Sequence, residues 1–302
     1  MKKVALALAS GGPRGFAYIG AIEELERRGY TITSVSGTSA GSLVGGIYAA
    51  GGLQAFKEWL YQLDPVKIVY LMDPSLSRNS LVKGERIIKA IKEVVPEVNI
   101  EDLPIPFTAV ATDLFTGEEV IFRQGPLFEA IRASISIPSM FKPVKWRGRT
   151  LVDGGMVNTF PLNRVQRTEG DILVGFNVNE IDAAEIQGFL DSRAALSEEK
   201  KDKGIVKRLE KTWQEYMLTN MGKENHLPVN ADDNFASVLQ RGFGIMNSVI
   251  ARQEIALTPP DILVSLPYDS FHGVYGYSHA QEIAERGRAL MAEALDRYED
   301  SL

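Results

Sequence analysis

The chain has 302 residues, with 33 Lys and Arg against 39 Asp and Glu for a net charge of −6, and it is 45% hydrophobic and 24% charged. That composition supplies a sizeable core and excludes general disorder, while the acidic balance argues against a nucleic-acid partner, which needs a basic surface. Cysteine is absent and the histidines are His226, His272 and His279, which excludes disulfides, thiolate zinc sites and cysteine nucleophiles and argues against a three-histidine metal site.

Lys2 and Lys3 precede an apolar run from Val4 to Ala9. At about six residues it is short for the core of a signal peptide, so a buried strand is the better reading. Residues 30–56 carry no charge but are interrupted by Gly37, Gly41, Gly45, Gly46, Gly51 and Gly52. They read as strand, turn and helix packed inside protein rather than as a membrane span. A soluble, cytoplasmic protein is expected, with contact to a membrane from outside left open.

In chain order, Val4 to Ala9 predicts a central strand and Phe16 to Arg28 a helix, with Ile19, Ile22 and Leu25 on one face and Glu23, Glu24 and Glu26 on the other. Thr31 to Ser36 predicts a strand, and Ser42 to Ala50 a buried helix stopped at Gly51 and Gly52. Leu53 to Tyr70 and Gly84 to Val95 are expected to be helical, with a loop around Asp73 to Asn79. Phe107 to Asp113 and Glu119 to Phe122 predict strands, Leu127 to Ala133 a helix, and Lys145 to Arg147 and Thr150 to Val152 strands flanking a turn at Gly148. Asp171 to Val178 and Ile262 to Leu266 predict the last strands, and His279 to Tyr298 a terminal amphipathic helix. Strands alternating with helices argue for a layered α/β architecture, a three-layer α/β/α sandwich around a mostly parallel sheet. The composition shifts after Ile181, so residues 183–257 are expected to be a helical insertion in a single domain. A solvated decoration is the plainer reading of it and a cap over the site the other. Phe189, Met217, Met221 and Phe235 would suit a lid, although core packing explains them more simply.

Three short motifs carry chemistry. Gly37-Thr38-Ser39-Ala40-Gly41 is a G-x-S-x-G pentad between a predicted strand and a predicted helix. A serine on that sharp turn points out of the sheet, and the helix start behind it offers N–H groups, Ala40 first, to a developing oxyanion. Ser10-Gly11-Gly12-Pro13-Arg14-Gly15 is a second strand-to-helix turn. As a dinucleotide loop it lacks its first glycine and a following acid. As an oxyanion loop its glycine N–H groups could converge on one point, while Pro13 stiffens it and Arg14 either braces it or stays solvated. It could also be simply a tight turn. Leu151-Val152-Asp153-Gly154-Gly155 sends a carboxylate off a strand end. Alone this would be a turn; beside a serine it reads as the base that takes the hydroxyl proton. The order Ser, Asp, His would also permit a triad with His272 or His279, but a direct Ser39–Asp153 pair is favoured.

Together these motifs resemble the patatin-like phospholipase family over about residues 4–180. The resemblance extends to Ala133-Ser134-Ile135-Ser136-Ile137-Pro138, with Phe141 and Pro143 after it. The end of the chain, Asp261 to Arg288, is similar to some bacterial members. The resemblance implies an acyl-ester hydrolase acting on phospholipids, lysophospholipids or other fatty acyl esters, with no catalytic histidine, no metal and no cofactor. It implies Ser39 and Asp153 as a catalytic dyad, Gly11, Gly12 and Arg14 with Ala40 around the oxyanion, and Gly15, Gly37, Gly41, Gly154 and Gly155 as supporting positions. The family's loop usually begins with three glycines, and here Ser10 replaces the first. A lipid- or partner-binding protein retaining the fold, and an acyltransferase using the same acyl-enzyme, are the alternatives. The head group, chain length and oligomeric state are not legible.

Overall fold

The computed structural model describes residues 2–72, 84–138, 140–181, 235–268, 270–271 and 273–302. Strand β1 (Lys2–Leu8) leads through a 3-10 turn (Gly12–Phe16) into α1 (Ala17–Arg27), followed by β2 (Tyr30–Thr38) and α2 (Ala40–Ala49). Helices α3 (Leu53–Tyr61), α4 (Pro65–Met72) and α5 (Glu85–Lys92) come next, then β3 (Phe107–Asp113), β4 (Glu119–Phe122) and α6 (Leu127–Ser134). The chain continues with β5 (Val144–Trp146), β6 (Arg149–Asp153), β7 (Asp171–Glu180), α7 (Phe235–Leu257), β8 (Ile262–Pro267), α8 (Gly273–Ser278) and α9 (Ala280–Glu299).

The strands form one sheet in the order β5-β6-β3-β2-β1-β7-β8, with β4 also on β3. The pairs β3–β2, β2–β1, β1–β7 and β7–β8 are parallel, and those joining β4, β5 and β6 are antiparallel. Parallel strands are covered on both faces, and β1 shows how. Val4, Leu6 and Leu8 alternate into one apolar core shared with α1, α2 and α9. Ala5, Ala7 and Ala9 face the opposite core, closed by Phe160, Leu162, Val165 and Ala251 of α7. The period of two in a strand thus builds the expected α/β/α layering.

Two local outcomes differ from the sequence reading. The helix expected over Leu53 to Tyr70 is two helices, because Pro65 cannot donate to the preceding turn and restricts Asp64. Pro65 instead opens α4, with the Asp64 carboxylate accepting from the Lys67 N–H at 2.8 Å. The short helix α8 ahead of the terminal one is the second difference. Of residues 183–257, expected to form a helical insertion, Phe235–Leu257 is helix α7. Residues 182–234, with Phe189, Met217 and Met221, and the loop from Asp73 to Asn79 lie outside the described residues. Among the described residues no helix is long and apolar enough to cross a membrane.

Candidate active site

The sheet register brings two distant motifs together. Parallel β2 runs along β3 until Thr38 stands opposite Val110. Antiparallel β6 occupies the same side of β3 further up and comes down until Asp153 stands opposite Ala111. The two strands therefore meet end to end at neighbouring residues of β3, and each gives way there to a turn. Ser39 leaves β2 and Gly154 leaves β6, so the Ser39 Oγ donates to Asp153 Oδ2 at 2.5 Å. The other carboxylate oxygen, Oδ1, accepts from the Gly155 N–H at 2.8 Å.

Ser39 has φ 54° and ψ −119°, a conformation that side chains other than glycine rarely adopt and that is held by the structure around it. Close packing forces the turn to be sharp. A Cβ at Gly41 would stand 2.2 Å from the Leu8 carbonyl oxygen, and one at Gly37 would strike the Gly41 backbone at 2.3 Å. A Cβ at Gly154 would meet the Val110 carbonyl oxygen at 2.3 Å. Gly41→Ala is expected to cost about 3 kcal/mol of stability through overpacking against rigid backbone. Thermal denaturation checks this, and an unchanged melting temperature would mean that α2 does not approach β1 this closely.

The segment after α6 clamps both halves. Ser134 Oγ accepts from the Ser39 N–H at 2.8 Å and donates to the Val110 carbonyl at 2.6 Å, while the Ser136 carbonyl accepts from the Asp153 N–H at 2.9 Å. Thr112 Oγ1 donates to the Asp153 carbonyl at 3.0 Å. In the sequence Ala133 to Pro138 is only a likeness; the clamp is legible there only as small hydroxyl residues ahead of a proline. Ser134→Ala strands the buried Ser39 N–H and is expected to lower stability by about 2 kcal/mol. Urea unfolding measures the loss, and a Ser134→Ala midpoint equal to wild type would mean that this hydroxyl does not hold the elbow.

The glycine loop lies against this turn. A Cβ at Gly15 would stand 2.5 Å from the Ala40 Cβ, so the loop touches the residue after Ser39. Gly12 has φ 56°, the left-handed region that glycine reaches without strain. Among the described residues the N–H groups of Gly11 and Gly12 meet no hydrogen-bond acceptor, whereas Ser10 N–H is committed to the Thr159 carbonyl at 2.8 Å. The Arg14 side chain braces the loop: its Nε donates to the Val178 carbonyl at 2.9 Å and its guanidinium lies 4.4 Å over the Tyr268 ring. Ser10 Oγ is buried and meets no hydrogen-bond partner among the described residues. It shares the flank of Gly155 with Asp153 Oδ1 and Asn247 Oδ1 of α7, which stand 3.2, 3.0 and 3.4 Å from where a Cβ of that glycine would be. Tyr277 of α8, half-buried against Phe16, points its hydroxyl to within 3.9 Å of the corresponding position at Gly12. Sequence pattern gave no signal for Asn247 or Tyr277, because each reaches the site from a separate helix.

Burial sets the electrostatics of the pair. Ser39 and Asp153 are 3% and 6% exposed, and burial raises the Asp153 pKa to about 6 against the opposing hydrogen bonds from Ser39 and Gly155. A carboxylate near this value is a better base at neutral pH than an ordinary aspartate. His279 stands elsewhere, its Nδ1 3.1 Å from Ser278 Oγ beside a surface cleft with Leu60 and Tyr61; His226 and His272 lie outside the described residues. Among the described residues no cluster of His, Asp and Glu is placed to hold a metal ion.

A model of the family described as Patatin-like phospholipase matches residues 6–165. An uncharacterized NTE family protein of Mycobacterium tuberculosis is 33% identical over 333 aligned positions, covering 98% of this chain and 92% of its own. Patatin-like phospholipase domain-containing protein 6 of Mus musculus is 28% identical over 196 positions, covering 63% of this chain and 14% of that protein. Among solved structures, VipD from Legionella pneumophila aligns with a TM-score of 0.44 and 15% identity over 97% of this chain and 67% of its own. The chain belongs to the patatin-like phospholipase family.

Proposed function

We propose that this protein is a serine-dependent lipid acyl hydrolase that cleaves fatty acyl ester bonds of phospholipids or lysophospholipids through Ser39 and Asp153. The observation that carries the reading is the 2.5 Å Ser39 Oγ to Asp153 Oδ2 hydrogen bond at a strand-to-helix turn. Ser39 Oγ attacks the ester carbonyl carbon as its proton passes to Asp153 Oδ2. The carbonyl oxygen becomes an oxyanion facing the N–H groups of Gly11, Gly12 and Ala40. The carbon–oxygen ester bond then breaks, the alcohol leaves with the proton from Asp153, and the acyl group stays on Ser39. Water attacks this acyl-enzyme while Asp153 takes its proton, and returning that proton to Ser39 releases the fatty acid. Burial supports the same chemistry, since it keeps the carboxylate basic and strengthens each donor.

The test is fatty-acid release from lysophosphatidylcholine and phosphatidylcholine alongside a series of p-nitrophenyl esters of rising chain length. Turnover that improves with chain length is expected. No turnover of any ester by the folded wild-type chain would reject the reading.

A further inference from the structure

Two hairpin turns project from the end of the sheet beyond the candidate site. The β3–β4 turn exposes Leu114 (45%) and Phe115 (80%). The β5–β6 turn is a two-residue turn through Arg147 and Gly148, with φ 45° and 81°. The Leu114 N–H donates to the Thr150 carbonyl at 2.8 Å, so the two tips are joined. Trp146 of β5 is half-buried, edge-on to Phe122 with 5.0 Å between centroids, and the Arg147 guanidinium lies 4.7 Å from the centre of its ring.

The charge of this prow opposes that of the chain. Lys145 and Arg147 are exposed; the Lys145 Nζ donates to Thr150 Oγ1 at 2.6 Å, and neither cation meets a carboxylate within ion-pair distance among the described residues. Arg149 alone is offset, by Glu118 at 3.0 Å and Asp113 at 3.8 Å. Uncompensated cations around an exposed phenylalanine, on a molecule of net charge −6, fit an anionic interface with an apolar layer beneath it. From Arg149 to Asp153 is four steps along β6, about 13 Å at the usual strand rise.

We infer that these two turns dock the protein on an anionic lipid surface. Phe115 enters the headgroup layer, Lys145 and Arg147 meet lipid phosphates, and the Ser39–Asp153 pair is held about 13 Å behind the contact. The inference rests on the proposed lipid substrate for its purpose but not for its measurement. The probe is a vesicle of phosphatidylcholine with about a third phosphatidylglycerol, against phosphatidylcholine alone. Sedimentation uses the full chain in a Ser39→Ala background, so that no lipid is consumed. Binding to the anionic vesicles is expected, weakened about tenfold by Phe115→Ser and about tenfold by Arg147→Glu. With Ser39 restored, both variants are expected to hydrolyse a soluble p-nitrophenyl ester at the wild-type rate. Vesicle binding in a chain that hydrolyses no ester would sustain the surface and defeat the hydrolase reading. A parent protein that ignores anionic vesicles, or variants that bind as it does, would overturn the surface and leave the two turns to a protein partner.

Discussion

Ser39→Ala is expected to lower kcat on a soluble ester by about 10^4-fold or more, because it removes the only hydroxyl in contact with Asp153 Oδ2 among the described residues. Its fold should survive. Ser39 is an elbow residue in a conformation set by β2, α2 and the Ser134 clamp, and alanine keeps the backbone and its N–H. Ser39→Gly separates strain from chemistry. It should be equally inactive yet more stable than the alanine variant by about 1 kcal/mol, since glycine adopts φ 54° without the penalty a Cβ incurs. Steady-state kinetics and urea unfolding of the two variants check the pair. Substantial activity in either, or a glycine variant less stable than the alanine one, would contradict the picture of a strained nucleophile.

Asp153→Asn carries the second large effect. An amide of the same shape keeps a hydrogen bond to Ser39 but accepts no proton, so kcat is expected to fall about 10^3-fold. The pH dependence gives the sign. With the folded pKa raised from 3.8 to about 6, activity that needs ionised Asp153 should rise as pH passes through about 6 and then level off. Stability moves the other way. Between about 4 and 6 the folded state holds a proton that the unfolded chain releases, so ionising Asp153 inside the fold destabilises it as pH rises, by about 3 kcal/mol once both states are ionised. Asp153→Asn removes that loss and should raise the melting temperature at pH 8 while changing it little at pH 4. A variant less stable than wild type at pH 8, or a wild-type rate flat between pH 5 and 7, would mean that Asp153 is not the buried base.

Much of this was legible in the sequence because the pieces are local. An apolar run, a glycine turn and an amphipathic helix each announce themselves within about ten residues, as β1, the 3-10 turn and α1 do. The pentad around Ser39 and the Asp153-Gly154-Gly155 turn were likewise readable, since Gly37, Gly41 and Gly154 are each demanded by a backbone pressed against them. What pattern could not supply is register. That Thr38 and Asp153 end on adjacent residues of β3 comes from one parallel and one antiparallel pairing along the same side of a strand. The Ser134 and Ser136 clamp, Asn247 and Tyr277 depend on the same long-range assembly, and no periodicity encodes them. The split at Pro65 is the reverse case: the proline is in plain view, but the apolar spacing on either side of it suggests a continuous helix.

The central claim, that Ser39 is a nucleophile activated by Asp153, is met most directly by labelling the wild-type chain with a fluorophosphonate and mapping the adduct by peptide mass spectrometry. Covalent modification of Ser39, accelerating as pH rises through about 6 and suppressed in Asp153→Asn, is the expected result. A folded chain that takes no label, or one labelled at a different residue with Ser39 untouched, would contradict it.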